Sequence, residues 1–329
     1  KDFNEIDKSI WEKPILETFE KAADLFIKYE NNEIKIFAAS EWWFLEEWGR
    51  DTFISLPGLL LVRKKFEEAK KIILKYANLI KNGLVPCKIK ENEIYYNSAD
   101  TSLWFIYAIK KYVEYTKDWK FVEEIADKIE NILMFYIVGT GYYEQEKFQK
   151  IYMDKDYLIV SPARATWMDA NAFGKLPPVT PRNGKAVEIN ALFYLALKFA
   201  IEIENNTNYE MKLKVDKISK KLKKSFREKF WDKERKILFD VIEGDPDGNA
   251  IRPNMLFAAL ANDLLTFEQK KRVFEVVKNE LLTPAGIRTL SPKHPKYKGV
   301  YDTFAPVEIK DQAYHQGSAW PWLFGPFID

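Results

Sequence analysis

The sequence predicts an all-α fold, on three observations. Apolar residues recur at spacings of three and four nearly throughout, strand-like alternation is scarce, and connections between helical stretches alternate between long and very short. The first helix is predicted over 13–30, where Ile15, Phe19, Ala22, Ala23, Phe26 and Ile27 form one stripe. A long segment, 31–50, leads to a second helix at 51–63, almost continuous with a third at 65–81. Another long segment, 82–98, precedes helices at 99–117 and 119–138, which join at Asp118. The longest connection, 139–185, precedes helices at 186–204 and 208–231, with a tight junction at Asn205–Asn208. A fourth, 232–251, leads to 252–262 and 266–281 across a short link, and a fifth, 282–313, leads to 314–327. Short links make antiparallel hairpins, so every long connection should emerge at one end of the bundle. This is the pattern of an (α/α)6 toroid, six hairpins closed into a ring. Ten helices are predicted where twelve are expected. The reading is therefore a single domain over 1–329, missing its last helices at the C-terminal end. An open ring would expose apolar surface along the first and last helices and favour self-association.

Composition narrows the functional classes. The chain has 329 residues, 15% of them aromatic, which argues against disorder. Its 51 basic and 49 acidic side chains leave a formal charge of +2, too little excess for a dedicated nucleic-acid binder. No apolar run approaches the ~20 residues of a membrane span, and no export leader opens the chain, so a cytoplasmic location is expected. A single cysteine, Cys87, excludes an internal disulfide framework. With two histidines, His294 and His315, there is no H-E-x-x-H and little material for a metal site. Neither a G-x-S-x-G elbow nor a phosphate-binding G-x-x-x-x-G-K-[ST] is present.

Carboxylate chemistry remains. The long connections concentrate Trp, Asp, Glu, Arg and Pro: Glu41-Trp42-Trp43, then Trp48-Gly49-Arg50-Asp51-Thr52; Asn97-Ser98-Ala99-Asp100, closing with Trp104; Thr166-Trp167-Met168-Asp169; Thr180-Pro181-Arg182 through Glu188; and Tyr314-His315-Gln316 through Trp320 and Trp322. Aromatic rings stack on the apolar faces of sugars while fixed Asp, Arg and Glu side chains grip hydroxyls, so such a pocket suits a neutral polyhydroxylated ligand. Glycosidases need one carboxyl protonated as general acid and a second ionised across the sugar. Asp169 is the candidate acid, because Trp167 and Met168 beside it would desolvate it and raise its pKa. Simpler readings stand beside these. Asp51, Asp100 and Ser98 each suit a helix N-cap. Trp42, Trp43 and Trp104 suit core packing, Glu188 a helix dipole, Arg182 an ion pair, and His315 a surface pair with Asp311. Asp245-Pro246-Asp247-Gly248-Asn249 lacks the later Glu of a calcium loop and reads as a turn.

The runs from Trp48 to Thr52, Thr166 to Ala170, Thr180 to Ala191 and Tyr314 to Trp322 resemble the C-terminal catalytic domain of glycogen debranching enzymes, the amylo-α-1,6-glucosidases. Asn97–Trp104 and Leu282–Tyr301 agree, so the resemblance covers nearly everything from about residue 35. It implies an (α/α)6 toroid and an inverting hydrolase that removes the single glucose left at an α-1,6 branch point, without metal or organic cofactor. By the resemblance Asp169 matches the general acid, and Arg50 and Asp51 the pair that grips the non-reducing glucose in related glucoamylases. Trp48, Asp100, Trp167, Arg182, Glu188, His315, Gln316 and Trp320 would line the pocket. The family's general base is a Glu in a segment beyond the P-W-L-x-G-P-F stretch, so the 329-residue chain is expected to bind glucose-like ligands and hydrolyse poorly. An exo-acting, glucoamylase-like hydrolase and a glucan-binding fragment without turnover are the alternatives.

Overall fold

A computed structural model describes residues 9–30, 33–38, 46–91, 93–261 and 263–329, with side chains from residue 14 onward. Twelve α-helices lie within these residues: α1 (Ser9–Asp24), α2 (Gly49–Leu56), α3 (Phe66–Ala77), α4 (Thr101–Thr116), α5 (Trp119–Glu124), α6 (Ala126–Val138), α7 (Val187–Asn206), α8 (Val215–Lys229), α9 (Met255–Leu260), α10 (Phe267–Val276), α11 (Val307–Tyr314) and α12 (Phe324–Ile328). The helices α2 and α10 each run on through a π-helical turn, Pro57–Leu61 and Val277–Leu281.

Burial sorts the helices into two ranks. Thirteen of the twenty residues of α7 and ten of the sixteen of α4 are buried, on more than one face, as expected of helices enclosed on all sides. In α8 the buried residues Val215, Ser219, Leu222 and Phe226 form a single stripe, as on a helix with one wet face. The helices α4 and α7 stand in a row in which α2 touches α4, α4 touches α7 and α7 touches α9, with α12, none of whose residues is buried, at the end against α9. Behind them, α3 packs on α4, α6 and α8 on α7, and α10 on α9. One continuous apolar cluster runs through the row, from Ile27 to Leu323.

The molecule is helix-rich, as expected, and short strands that the sequence did not reveal accompany the helices. Six small antiparallel sheets are present among the described residues. Most strands have two to four residues, too few for alternation to register; the hairpin Thr140–Glu144/Lys147–Met153 is the largest. The first helix ends at Asp24 rather than 30. Ile15 and Phe19 are exposed, and Ile27 instead opens a hairpin in which it faces Ile36. The helix expected over 208–231 starts only at Val215, because the backbone N–H groups of Lys212 and Leu213 donate to the Glu130 carboxylate. A break at Ile125 splits 119–138 into α5 and α6.

The helix expected over 314–327 is overturned. Here α11 ends at Tyr314, Gly317 turns the chain with φ +151°, and Ala319–Trp320 pairs as a strand with Gly286–Arg288 before a short helical turn at Pro321–Leu323. A Cβ at Gly317 would lie 2.5 Å from the Lys298 carbonyl oxygen, so the turn needs glycine for space as well as for φ.

The long connections meet. Gly49 donates to the Cys87 oxygen, Ala99 to Ala165, Asp245 to Asn183, and Ser291 to Ile251, so backbone from all five is stitched together. Among the described residues no helix is long and apolar enough to cross a membrane.

Candidate active site

Arg50 and Asp51 occupy the first turn of α2. Gly49 brings that turn close to the second connection, since a Cβ there would lie 2.1 Å from the Pro86 oxygen. Trp48 holds the cap position without a side-chain bond, so Asp51 is not an N-cap. At α4 the capping acceptor is the Ser98 hydroxyl, which takes the Thr101 N–H at 3.1 Å. Relieved of capping, the Asp100 carboxylate accepts from Ser98 at 2.5 Å and from Arg50 Nε at 2.8 and 2.9 Å. Arg50 Nη1 then reaches the Asp169 carboxylate at 3.2 Å. Three long connections thus deliver one Asp–Arg–Asp chain.

This chain is open at one end. The Asp100 side chain is fully buried, whereas that of Asp169 is 36% exposed. Three of the five guanidinium N–H groups of Arg50 have no acceptor among the described residues. Burial pushes the Asp169 carboxyl above its ordinary range, and the Arg50 charge pulls against that shift. Half-buried Asp51 is pushed up to about 6, again by burial against Arg50, with the nearby Asp169 charge adding to the rise. Burial works against the Arg50 charge, but Asp100, Asp169 and Asp51 outweigh it and keep the guanidinium charged.

An aromatic group belongs to the same face. Trp167 meets His315, Trp320 and Trp322 edge-on, with ring centroids 5.3, 6.1 and 5.1 Å away, and His315 stacks on Trp320 at 5.7 Å. Trp320 is half-buried and donates its indole N–H to the Tyr314 oxygen. His315 does not form the expected surface pair with Asp311. It is buried, its Nδ1 has no partner among the described residues, and burial together with Arg252 and Arg50 drives its pKa well below 6.5. Trp48 is half-buried under Lys88, whose ammonium lies 5.2 Å from its ring. Trp104 is core, edge-on to Phe257 and Trp322. Glu41, Trp42 and Trp43 lie outside the described residues.

A profile of the amylo-α-1,6-glucosidase family matches residues 21–329. The chain belongs to that family. It is 26% identical over 373 aligned residues to the glycogen debranching enzyme of Saccharomyces cerevisiae (strain ATCC 204508 / S288c), with 87% of this chain and 24% of the yeast protein covered. The chain therefore spans about a quarter of the length of that curated relative. Two solved structures share the fold. A rhamnosidase from Klebsiella oxytoca with rhamnose bound superposes with TM-score 0.57 at 12% identity, over 82% of this chain and 48% of that one. A GH78 family rhamnosidase of Bacillus sp. GL1 gives 0.54 at 13% identity, over 79% and 25%.

In this amylo-α-1,6-glucosidase family member, four residues expected to line the pocket are committed elsewhere. Arg182 and Glu188 are each 1% exposed and paired with one another. Every Arg182 N–H has an acceptor: Glu188, Asp240 and Thr166 Oγ1 take all five. Gln316 is buried and spans Arg252 and the Val179 oxygen. Asp100 serves Arg50. All four are buried, at most 4% exposed, and Arg182 has every donor taken, so they lie behind the surface. Arg182 instead holds the loop of Asp169 through Thr166. Asp240 extends the same clamp through Asn254, whose side-chain oxygen accepts the Trp167 indole N–H at 2.8 Å.

Sequence reasoning missed Asp240, Arg252, Asn254 and Arg164, whose Nε donates to the Asp169 carbonyl oxygen at 3.0 Å. Arg164, in the Pro162-Ala163-Arg164 run just before the Thr166–Asp169 motif, had a positional signal; the others had none. The Asp245–Asn249 run is a turn, with Asp245 accepting the Arg182 backbone N–H. Asp154, Asp156 and Glu243 are the one group of carboxylates near enough to share a metal among the described residues, and the Lys185 ammonium already sits among them.

Proposed function

We propose that this chain is an α-1,6-glucosidase module that removes the single glucose at a glucan branch point, acting on glycogen or a related α-glucan in the cytoplasm. Its inner and outer helices are read as part of an (α/α)6 toroid. Asp169 is the general acid, protonating the oxygen of the leaving chain while water attacks the opposite face of the sugar, with inversion. Arg50 and Asp51 grip the hydroxyls of the terminal glucose, and Trp48, Trp167, His315 and Trp320 shape the apolar side of its seat. Asp100 is a positioning residue acting through Arg50. The role of general base falls to the Glu that the resemblance implies, and no described residue is assigned it.

The observation that carries this reading is the open end of the Asp100–Arg50–Asp169 chain. It offers a solvent-facing carboxyl whose proton is held up by burial, beside three unused guanidinium donors. That combination can protonate an ether oxygen and hold hydroxyls in one place. The test is glucose release from a singly branched dextrin and from linear maltooligosaccharides by protein extended through the Glu-bearing segment that the resemblance implies, with the anomer followed by NMR. Release from the branched substrate alone, first as the β-anomer, is expected. Preferential release from linear chains would instead make it a glucoamylase-like exo-hydrolase. Glucose binding with no release from either substrate would leave a binding module.

A further inference from the structure

A cavity lies beside the loop that carries Asp169. It has a volume of about 390 Å³, within the range of small-ligand pockets, and lies between the hairpin 140–153 and the loop that follows the acid. Gln145 and Gln149 of the hairpin, Arg164, Asn171, Pro177 and Pro178 form its walls. Its charges are paired: Arg164 with Glu144 of the same wall at 2.6 Å, and Lys175 with Glu308 outside it at 2.8 Å. The polar atoms left over are the amides of Gln145 and Gln149, Asn171 Nδ2 and Arg164 Nη2, none of which has a hydrogen-bond partner among the described residues. Amides offer donors and acceptors together, and proline rings offer flat C–H faces. The cavity therefore suits a neutral polyhydroxylated ligand better than an anion or an apolar one.

The loop on its far wall is strained. Ala172 and Phe173, neither of them glycine, follow one another at φ +53° and +55°. Non-glycine residues persist there only where surrounding bonds over-determine the backbone, and such places cluster at ligand sites. The bonds are present. Ala172 N–H donates to Asp311 at 2.7 Å, and Asn171 accepts from the backbone of Gly174 and Leu176. What this strain displays is Phe173, 91% exposed at the loop tip. An exposed phenylalanine alone carries nothing, but one held out by a strained, anchored loop beside an amide-lined cavity has the form of a sugar platform.

We propose that this cavity, together with Phe173 on the loop between its lining residues Asn171 and Gly174, is a subsite for the glucan chain from which the branch glucose is cut. The inference rests on the functional reading above. A general acid stands on the leaving-group side of the bond it cleaves, and Arg164 ties the cavity wall to the backbone of Asp169. Units of the leaving chain would therefore lie against Gln145, Gln149 and Phe173, while Arg50 and Asp51 hold the glucose.

Calorimetric titration with glucose and with a singly branched maltodextrin tests this, using Phe173→Ala and the double variant Gln145→Ala/Gln149→Ala. All three side chains reach the surface, and the fold is checked by melting temperature. Dextrin affinity should fall about tenfold in each variant, with glucose affinity unchanged. Unchanged dextrin affinity in both variants, with glucose still bound, would overturn the subsite and leave the glucosidase reading standing. Failure of the unaltered protein to bind either sugar would overturn both.

Discussion

Arg50 and Arg182 begin from the same ingredients. Each is a guanidinium enclosed between two carboxylates, 12% exposed in Arg50 and 1% in Arg182, and each lies at the end of a long connection. In the Arg182 cluster all three side chains are at most 2% exposed and every donor is taken. In the Arg50 cluster one carboxylate, Asp100, is sealed, while the other, Asp169, faces solvent with guanidinium donors unused beside it. A saturated cluster can only hold structure, because any ligand would have to displace a bond made in low dielectric. An unsaturated one keeps valence for a ligand. Residue type does not separate clamp from site; the count of satisfied donors and the exposure of one carboxylate do.

The largest effect should come from Asp169→Asn, which keeps shape and removes the titrating proton. In protein extended through the Glu-bearing segment, glucose release should fall by roughly 10²–10⁴ with little change in melting temperature, and turnover within a few-fold of the unaltered extended protein would refute the assignment.

Arg182→Ala should act on stability instead. It leaves Glu188 and Asp240 buried without their partner, a loss of about 3–5 kcal/mol in a urea titration. Arg50→Ala strands only one sealed carboxylate and should cost less in the same titration. Equal losses would break the comparison, since the two clusters would then be equally structural.

Asp51 gives a pH signature. With its folded pKa raised to about 6, the folded protein holds a proton there that the unfolded chain has released. Its contribution to stability is complete below the ordinary Asp range near ~3.9, and it is lost as pH rises through about 6. Melting temperatures from pH 4 to 7 should fall more steeply for the unaltered protein than for Asp51→Asn. Parallel curves would mean that the carboxyl is ionised throughout.

The smallest effect belongs to an ordinary cap. Thr266 accepts the Gln269 N–H at 3.2 Å at the start of α10, so Thr266→Ala should cost about 1 kcal/mol and leave sugar binding unaltered. Weakened binding there would show that capping and site are coupled.

The sequence alone determined the helical class, the positions of α3, α4 and α7, and the gathering of chemistry on the long connections. Spacings of three and four put consecutive apolar residues on one face, and that is a property of neighbours along the chain. It also isolated the Arg50–Asp51 and Thr166–Asp169 runs as short motifs, legible without any partner. Only the tertiary structure decided that Arg50 stays open and Arg182 closes. The acceptor that completes Arg182, Asp240, lies 58 residues away in a stretch with no distinguishing pattern. Strands such as Ala319–Trp320 were hidden for the same reason, because their partner is Gly286–Arg288 and two residues show no alternation of their own. Periodicity is summed along the chain, whereas burial and hydrogen-bond saturation are summed over partners that meet only once the chain has folded.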